Sequence, residues 1–175
     1  VHSVSMSATP IPRSIAVAMY GEGTEVVNIR TLPNGRKPVK TILYSNEEKV
    51  YQSMKNQIGT GHQCYVVCPL IEESDNDTLS DVDSVETTMQ KMTAWFGKFP
   101  QVQIEALTGE MKPEQMTPVI DRFAAGQTHI LVSTTVVEVG VNVPNATVML
   151  IKNAERFGLA QLHQLRGRVG RSDLQ

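Results

Sequence analysis

The stretch "HILVSTTVVEVGVNVPNATVMLI", residues 129–151, decides the fold class because it holds two short apolar runs separated by a polar, turn-forming segment. The runs cover residues 129–134 and 147–151 and contain no Asp, Glu, Lys or Arg. Unbroken apolar runs of about five residues are typical of strands that are covered on both faces, as in a parallel sheet. Two buried parallel strands are therefore the starting point for the rest of the chain.

Similar apolar runs recur upstream, and they alternate with helical patterns. The further predicted strands lie at 41–44, 64–71 and 102–107. The predicted helices lie at 46–58, 84–98, 114–125 and 158–166. Asn46 is a candidate N-cap and Gly126 a candidate C-terminal stop, while Pro118 indicates that the third helix starts or bends there. This alternation predicts an α/β fold with a doubly wound parallel sheet flanked by helices.

The order of elements also predicts where ligands bind. Open parallel sheets bind ligands outside the carboxyl ends of their strands, so the loops after residues 107, 134 and 151 are expected at the working edge. The first 38 residues include "TPIPR" and "LPNGRKP", whose prolines and glycine predict extended or turn segments. We therefore divide the chain into residues 1–38, a connecting region, and residues 39–175, the α/β domain.

Charge is distributed unevenly along the chain. The net charge is −2, but seven of the 18 acidic residues lie in "EESDNDTLSDVDSVE", residues 72–86, which has no Lys or Arg. The remainder holds 16 basic and 11 acidic residues. That balance permits a polyanionic partner, and an ordinary solvated surface explains it equally well. Residues 72–84 are predicted to form a loop.

Several classes of function are excluded by what the sequence lacks. It has no GxxxxGK[ST] phosphate loop and no nucleophile elbow, and its histidines show no metal-ligand spacing. It has no apolar run of about 18 residues, so no membrane partner is expected. Cys64 and Cys68 lie roughly 13 Å apart if they flank a strand, which is too far for a disulfide. They are interpreted as small buried side chains in a reducing compartment.

Two segments carry the candidate chemistry. "QLRGRVGR", residues 164–171, sets three arginines among two glycines with no acid between them, which indicates an anionic partner. A nucleic-acid backbone, a nucleotide phosphate and an acidic protein all fit. In "STTVVEVGVNVP", residues 133–144, the hydroxyl groups at the strand end suit phosphate oxygens, although threonine there also fits simple β-propensity.

Taken together, these residues resemble a known family. "QLRGRVGR" matches the QxxGRxxR pattern of superfamily 2 helicases, "TTVVEVGVNVP" resembles the motif before it, and "SATPIPR" is similar to the end of their first motor domain. "LPNGRKPV", "VVCPLIEES", "TGEMKP" and "FGLAQLHQLRGRVGRS" resemble the RecG family of bacterial ATP-dependent DNA helicases. The transcription-repair coupling translocases share "ATPIPR" and "GLAQLHQLRGRVGR".

The resemblance implies a motor built from two RecA-like, P-loop NTPase-like domains. Residues 1–38 then correspond to the tail of the first motor domain and the linker, and residues 39–175 to the second. The first domain is expected to hold the phosphate loop and the Mg²⁺-binding acids, so this segment alone is expected not to hydrolyse ATP. The implied partners are ATP, branched DNA such as stalled forks and Holliday junctions, and the first motor domain, in the bacterial cytoplasm.

The resemblance also assigns residues to the nucleotide. Arg168 and Arg171 correspond to catalytic arginine fingers that reach the triphosphate, and Gln164 couples the nucleotide state to the domain interface. Gly140 lies beside the nucleotide. Asn142 stands where the family usually has Asp near the ribose, so a weaker contact is expected there.

A second set is assigned to DNA. Thr134 corresponds to a contact with the DNA backbone, and Gly109 and Lys112 to further contacts in the loop after the 102–107 strand. Thr108 stands where the family often has His, which departs from the pattern of that loop. No metal ligand is assigned in this chain.

Two rival functions remain open from the sequence. One is a transcription-repair coupling translocase, which shares the motor but displaces RNA polymerase. The other is a non-catalytic module that keeps the RecA-like fold and binds polyanions. A phosphate loop upstream in the natural chain excludes the second rival.

Overall fold

The computed structural model describes residues 38–69, 84–134 and 143–170, together with a few isolated positions before residue 38. The chain divides into two units, Val1–Asn34 and Gly35–Gln175, and the sheet lies within the second. The acidic segment at 72–83 lies outside the described residues. The assignment of residues 1–38 and 39–175 to two motor domains stays a prediction.

The described residues of the second unit form four strands and four helices, which largely alternate along the chain. The strands are β1 (Gln63–Val67), β2 (Ile104–Leu107), β3 (Ile130–Ser133) and β4 (Ala146–Ile151). The helices are α1 (Glu47–Gly59), α2 (Val85–Phe96), α3 (Pro113–Ala124) and α4 (Leu159–Arg166), with a short 3-10 turn at Ala154–Arg156. Four of the five predicted strands and all four predicted helices are confirmed, with small shifts at their ends.

The strands form one parallel sheet in the order β2-β3-β1-β4. Successive side chains of β1 point to opposite faces, so Tyr65 and Val67 join one buried cluster while Cys64 and Val66 join the other. Side chains of α3 and α4 complete the first cluster, and those of α1 and α2 complete the second. The sheet is therefore covered on both faces, as the prediction of a doubly wound α/β fold requires.

The helix ends follow local signals. Asn46 caps α1, because its Oδ1 accepts hydrogen bonds from the backbone N–H groups of Glu48 (3.0 Å) and Lys49 (3.3 Å). Gly126 follows α3 with a φ of 75°, a left-handed conformation that ends the helix at low steric cost. Pro118 does not begin α3, which starts five residues earlier at Pro113 and continues through the proline.

The predicted strand at 41–44 is wrong. Residues 41–44 form neither helix nor strand, and Ile42, Leu43 and Tyr44 are 50%, 93% and 54% exposed. A strand is stabilised by a neighbouring strand and by burial, and an apolar run alone supplies neither. The run therefore had the composition of a strand without the contacts that make one.

The two cysteines are free and buried, as predicted. Burial raises the pKa of the Cys64 thiol to about 12, because the thiolate would lose its hydration there. The Cys68 thiol lies 3.3 Å from the hydroxyl oxygen of Thr88, to which it donates. None of the described helices has the length and apolar character that crossing a membrane requires.

At the amino-terminal edge of the sheet, side-chain hydrogen bonds link neighbouring turns. Gln63 is 2% exposed, and its Nε2 donates to the carbonyl oxygens of Phe123 (2.6 Å) and Thr128 (2.7 Å). Asn145 Nδ2 donates to the carbonyl of Gly61 at 2.7 Å. These side chains connect the turns before β1, β3 and β4.

An ion pair adds to the same edge. Arg122 of α3 donates three hydrogen bonds to Glu105 of β2, from Nε to Oε1 (3.0 Å) and Oε2 (3.2 Å) and from Nη2 to Oε1 (2.5 Å). The Thr128 hydroxyl also donates to Glu105. The hydrogen bond from Arg122 is the main reason why the pKa of Glu105 lies below its usual value. The carboxylate is thereby held in its charged form by two neighbours.

Candidate functional site

The carboxyl ends of all four strands meet at one edge of the sheet, because the strands are parallel. The backbone ladder continues one residue further there, since the N–H of Cys68 donates to the Ser133 carbonyl (2.9 Å) and that of Lys152 to the Val67 carbonyl (2.8 Å). The segments that follow β2, β3 and β4 therefore leave the sheet at the same edge. This placement confirms that the three segments lie at one edge, and the binding of ligands there stays a prediction.

Thr134 follows β3 at this edge and carries an unpaired hydroxyl group. Its Oγ1 is the one buried side-chain oxygen or nitrogen among the described residues that has no hydrogen-bond partner. Leaving such a group unpaired costs about 1–3 kcal/mol. The hydroxyl is thus placed to bond a group that the described residues do not supply, as expected for a ligand contact.

The loop after β2 leads from Thr108 to Lys112, which precedes the first residue of α3. Gly109 is exposed, and no atom lies within 4 Å of the position a Cβ would take. The backbone N–H of Lys112 donates to Gln115 Oε1 at 3.1 Å, while its side chain is exposed and makes no ion pair with a described residue. This loop presents an exposed cation and an accessible backbone beside the end of β3.

The segment after β4 carries the arginine motif. It passes through the 3-10 turn to Gly158, whose N–H donates to Gln161 Oε1 at 3.0 Å, and then forms α4. Gln164 is exposed on α4, and Arg168 is half-buried just beyond the helix. The buried side chains of Leu165 (1% exposed) and Val169 (3% exposed) flank Arg168 along the chain and fix its backbone on the sheet.

Strand order separates the two predicted sets of contacts. The three residues predicted to contact DNA, Gly109, Lys112 and Thr134, follow the neighbouring strands β2 and β3. Gln164 and Arg168, predicted to face the nucleotide, follow β4 on the other side of β1. Neighbouring strands lie about 4.8 Å apart, so the ends of β3 and β4 are about 10 Å apart. The two predicted sets of contacts therefore follow strands that are not neighbours in the sheet.

Three predicted site residues, Gly140, Asn142 and Arg171, lie outside the described residues. Their roles toward the nucleotide stay predictions. The described residues also bring together no group of three His, Cys, Asp or Glu side chains that could hold a metal ion.

Sequence reasoning missed a buried charge at this edge. Lys152, directly after β4, is 6% exposed, and its ammonium group pairs with the carboxylate of Glu47 at the start of α1. The other oxygen of that carboxylate accepts from the Tyr51 hydroxyl at 3.2 Å. The only signal in the sequence is one lysine after an apolar run, which is more typical of a solvated strand end.

Residues 47–173 match the family model described as the helicase conserved C-terminal domain. The chain belongs to this helicase C-terminal domain family. The match covers every strand and helix of the sheet domain and includes both the Thr134 segment and the arginine motif. The RecA-like fold expected from the resemblance is confirmed.

The chain is similar in sequence to curated RecG helicases from two bacteria. The chain is 48% identical over 172 residues to the ATP-dependent DNA helicase RecG of Staphylococcus epidermidis and 46% identical to that of Staphylococcus aureus. Each alignment covers 97% of this chain and 24% of the relative. The chain thus spans about a quarter of the length of these curated relatives.

A solved structure supports the same similarity. The structure of RecG bound to a three-way DNA junction matches with a TM-score of 0.64 and 39% sequence identity. The match covers 95% of this chain and 21% of that chain. The resemblance to the RecG family is therefore confirmed by both sequence and fold.

Proposed function

We propose that this chain is the second motor domain of an ATP-dependent DNA helicase that remodels branched DNA, such as stalled forks and Holliday junctions. The similarity to RecG relatives supports the activity, and the RecG structure with a three-way junction supports the substrate class. The single observation that carries the proposal is the arrangement of one sheet edge. An unpaired hydroxyl and a free cation stand on one side of β1, and an arginine motif stands on the other.

On the nucleotide side, Arg168 and Arg171 stabilise the charge that develops on the triphosphate. The first motor domain holds the phosphates and Mg²⁺, and the arginines reach across the cleft between the two domains. An arginine finger accounts for roughly 10³–10⁵ in the rate of phosphoryl transfer. Gln164 links the nucleotide state to the interface, and Gly140 and Asn142 border the nucleotide. The second motor domain alone is inactive in this proposal.

On the DNA side, Thr134 donates its hydroxyl to a phosphate oxygen of the backbone. Gly109 offers an accessible backbone and Lys112 an ammonium group to neighbouring phosphates. Contacts to phosphates carry no sequence information, which suits an enzyme that recognises branches rather than a particular sequence. Each round of ATP hydrolysis closes and reopens the cleft between the two domains. The contacts with the DNA phosphates thereby move along the DNA.

We place the enzyme in the bacterial cytoplasm. The named relatives are bacterial proteins that act on DNA. Cys64 and Cys68 are buried thiols that form no disulfide, and such thiols persist in a reducing compartment.

The test is DNA-stimulated ATP hydrolysis by the full natural chain on forked DNA. Arg168→Ala is expected to lower kcat by at least about 10³-fold, because the finger acts in the transition state, and to leave fork affinity unchanged. Arg166→Ala is the matched control, since Arg166 is an exposed arginine at the end of the same helix and is expected to keep most of the turnover.

The outcomes separate the possible partners of the arginine cluster. Normal hydrolysis with weaker fork binding in Arg168→Ala means that Arg168 faces the DNA backbone and not the nucleotide. A natural chain that binds forks without any stimulated hydrolysis contradicts the motor and favours a polyanion-binding module.

A further inference from the structure

Lys152 is the only charged side chain among the described residues that is buried. Its ammonium group is paired with Glu47, whose side chain is 43% exposed. Glu47 in turn accepts from Tyr51, which is itself 4% exposed and packs against Trp95 and Phe96 with ring centroids 5.7 and 6.1 Å away. Removing a lysine from water is unfavourable unless a partner compensates the charge. An apolar side chain at this position would stabilise the fold equally well, because it carries no charge to be removed from water.

The pair joins two segments that are far apart along the chain. Glu47 is the first residue of α1, and Lys152 lies 105 positions later at the carboxyl end of β4. The backbone of Lys152 is held to β1 through the hydrogen bond to Val67. The contact thus fixes the beginning of α1 against the point where the chain leaves the sheet toward α4.

The segment that carries Arg168 is held by apolar contacts and by hydrogen bonds, among them that from the Gly158 N–H to Gln161 Oε1. Within α4 only Leu165 is buried, and most of the remaining side chains are exposed. Phe157 packs partly against the core before the helix, and Val169 is buried after it. Lys152 is one of the fixed points of this segment, at its strand end, so a shift of Lys152 would move the start of the chain that leads to α4.

We propose that the Lys152–Glu47 ion pair is a positioning contact that sets the location of α4 and Arg168 relative to the sheet edge, and thereby the rate of ATP hydrolysis. This inference rests on the proposed function. Lys152 and Glu47 touch neither nucleotide nor DNA in this account and act only through α4. Glu47 is accessible from solvent on one side, so the pair can be altered without opening the core.

The expected consequence is specific to turnover. A displacement of about 1 Å at a catalytic group costs up to about 10²-fold in rate. Because Arg168 acts on the transition state, its displacement lowers kcat and leaves the KM for ATP nearly unchanged. A contact that only stabilised the fold would instead lower the melting temperature and leave kcat intact at temperatures where the protein is folded.

The main test uses Glu47→Gln in the full natural chain, with Glu48→Gln as the matched control. Both substitutions remove one negative charge from the first turn of α1, so their effects on the helix dipole are similar. Glu47 pairs with Lys152, whereas Glu48 makes no ion pair with a described residue. With saturating forked DNA, Glu47→Gln is expected to lower kcat by about ten-fold at unchanged KM for ATP, and Glu48→Gln to match the wild type.

A charge reversal gives an independent readout. Lys152→Glu and Glu47→Lys each place like charges together and are expected to lower kcat at least as much as Glu47→Gln. The double variant restores opposite charges and is expected to recover most of the lost kcat. If the single reversals do not fold, Glu47→Gln decides the question, because it leaves an acceptor for Tyr51 and alters a half-exposed side chain.

Each outcome has a definite meaning. A Glu47→Gln variant whose kcat equals that of Glu48→Gln overturns the inference while the motor function stands. So does a loss of kcat that disappears well below the melting temperature, or a folded double variant no better than either single reversal. A wild-type chain without DNA-stimulated hydrolysis overturns the proposed function, and the inference with it.

Discussion

The two edges of the sheet differ in how their polar groups are satisfied. At the amino-terminal edge, Gln63, Thr128 and Asn145 donate to partners within the domain. At the carboxyl-terminal edge, the Thr134 hydroxyl has no partner and the side chain of Lys112 is exposed. Buried polar groups are normally paired within a protein, so an unpaired one indicates a contact from outside. The two edges therefore differ, because the amino-terminal edge pairs these side chains internally and the carboxyl-terminal edge leaves the Thr134 hydroxyl unpaired.

The difference follows from the direction of the strands. In a parallel sheet with helical crossovers, the carboxyl ends of the strands face the ligand and the amino ends face the turns that return from the helices. Those returning turns bring buried carbonyl groups together, and side chains such as Gln63 satisfy them. If this account is correct, substitutions at the two edges change different measured quantities.

The largest expected effect comes from Gln63→Leu. The substitution removes the donors to two buried carbonyl groups, those of Phe123 and Thr128. The Phe123 carbonyl keeps the N–H of Gly126 as a donor at 3.1 Å, so the main loss is at the Thr128 carbonyl. We expect the free energy of unfolding to fall by about 2–3 kcal/mol, since an unpaired buried group costs about 1–3 kcal/mol. Urea unfolding of the chain measures this, and Gln103→Leu is the control because Gln103 is exposed. Equal effects of the two substitutions would contradict the stabilising role of the network.

A pair of threonine substitutions compares the edges directly. Thr128→Val removes a buried hydroxyl that donates to Glu105, so we expect a loss of about 1–2 kcal/mol in unfolding free energy. Thr134→Val removes a hydroxyl without a partner, so we expect unchanged or slightly higher stability. In the full natural chain, Thr134→Val is expected to weaken fork binding about five-fold, the value of one neutral hydrogen bond.

Urea unfolding and fork titration measure the two quantities on both variants. The comparison fails if Thr134→Val destabilises the chain as much as Thr128→Val does. Unchanged fork affinity in Thr134→Val would remove this residue from the proposed DNA contacts and leave the fold unaffected.

The smallest expected effect is a pH dependence at the amino-terminal edge. The hydrogen bond from Arg122 keeps the pKa of Glu105 below its usual value, so the folded protein binds the proton more weakly than the unfolded chain does. The stabilisation is therefore complete above the usual glutamate pKa of about 4.3 and is lost as the pH falls through the lower pKa of the folded state. Glu105→Gln removes it at every pH.

Urea unfolding of wild type and Glu105→Gln between pH 7 and acidic pH checks this expectation. The difference in unfolding free energy is expected to be constant at higher pH and to shrink on acidification. Raising the salt concentration is expected to reduce it as well, since the ion pair is partly exposed. A difference in unfolding free energy that grows toward acidic pH would contradict the expected direction of the pH dependence.

The sequence by itself determined the local features of this domain. The apolar runs predicted β1 to β4, and the Asn46 and Gly126 signals marked the ends of helices, because burial on both faces and helix capping depend on residues close together in sequence. The arginine motif and the Thr134 segment indicated the family through short patterns of the same kind. The sequence alone therefore identified candidate residues for the site.

Only the tertiary structure decided which of these features lie together. Strand order placed Thr134 beside the loop of Lys112 and put β1 between them and α4. It also left residues 41–44 without a strand partner, although their composition matches the buried strands. Lys152 and Glu47 are separated by 105 positions, and their pairing depends on how α1 packs against the end of β4. Such contacts come from the packing of whole elements, which no local pattern of residues encodes.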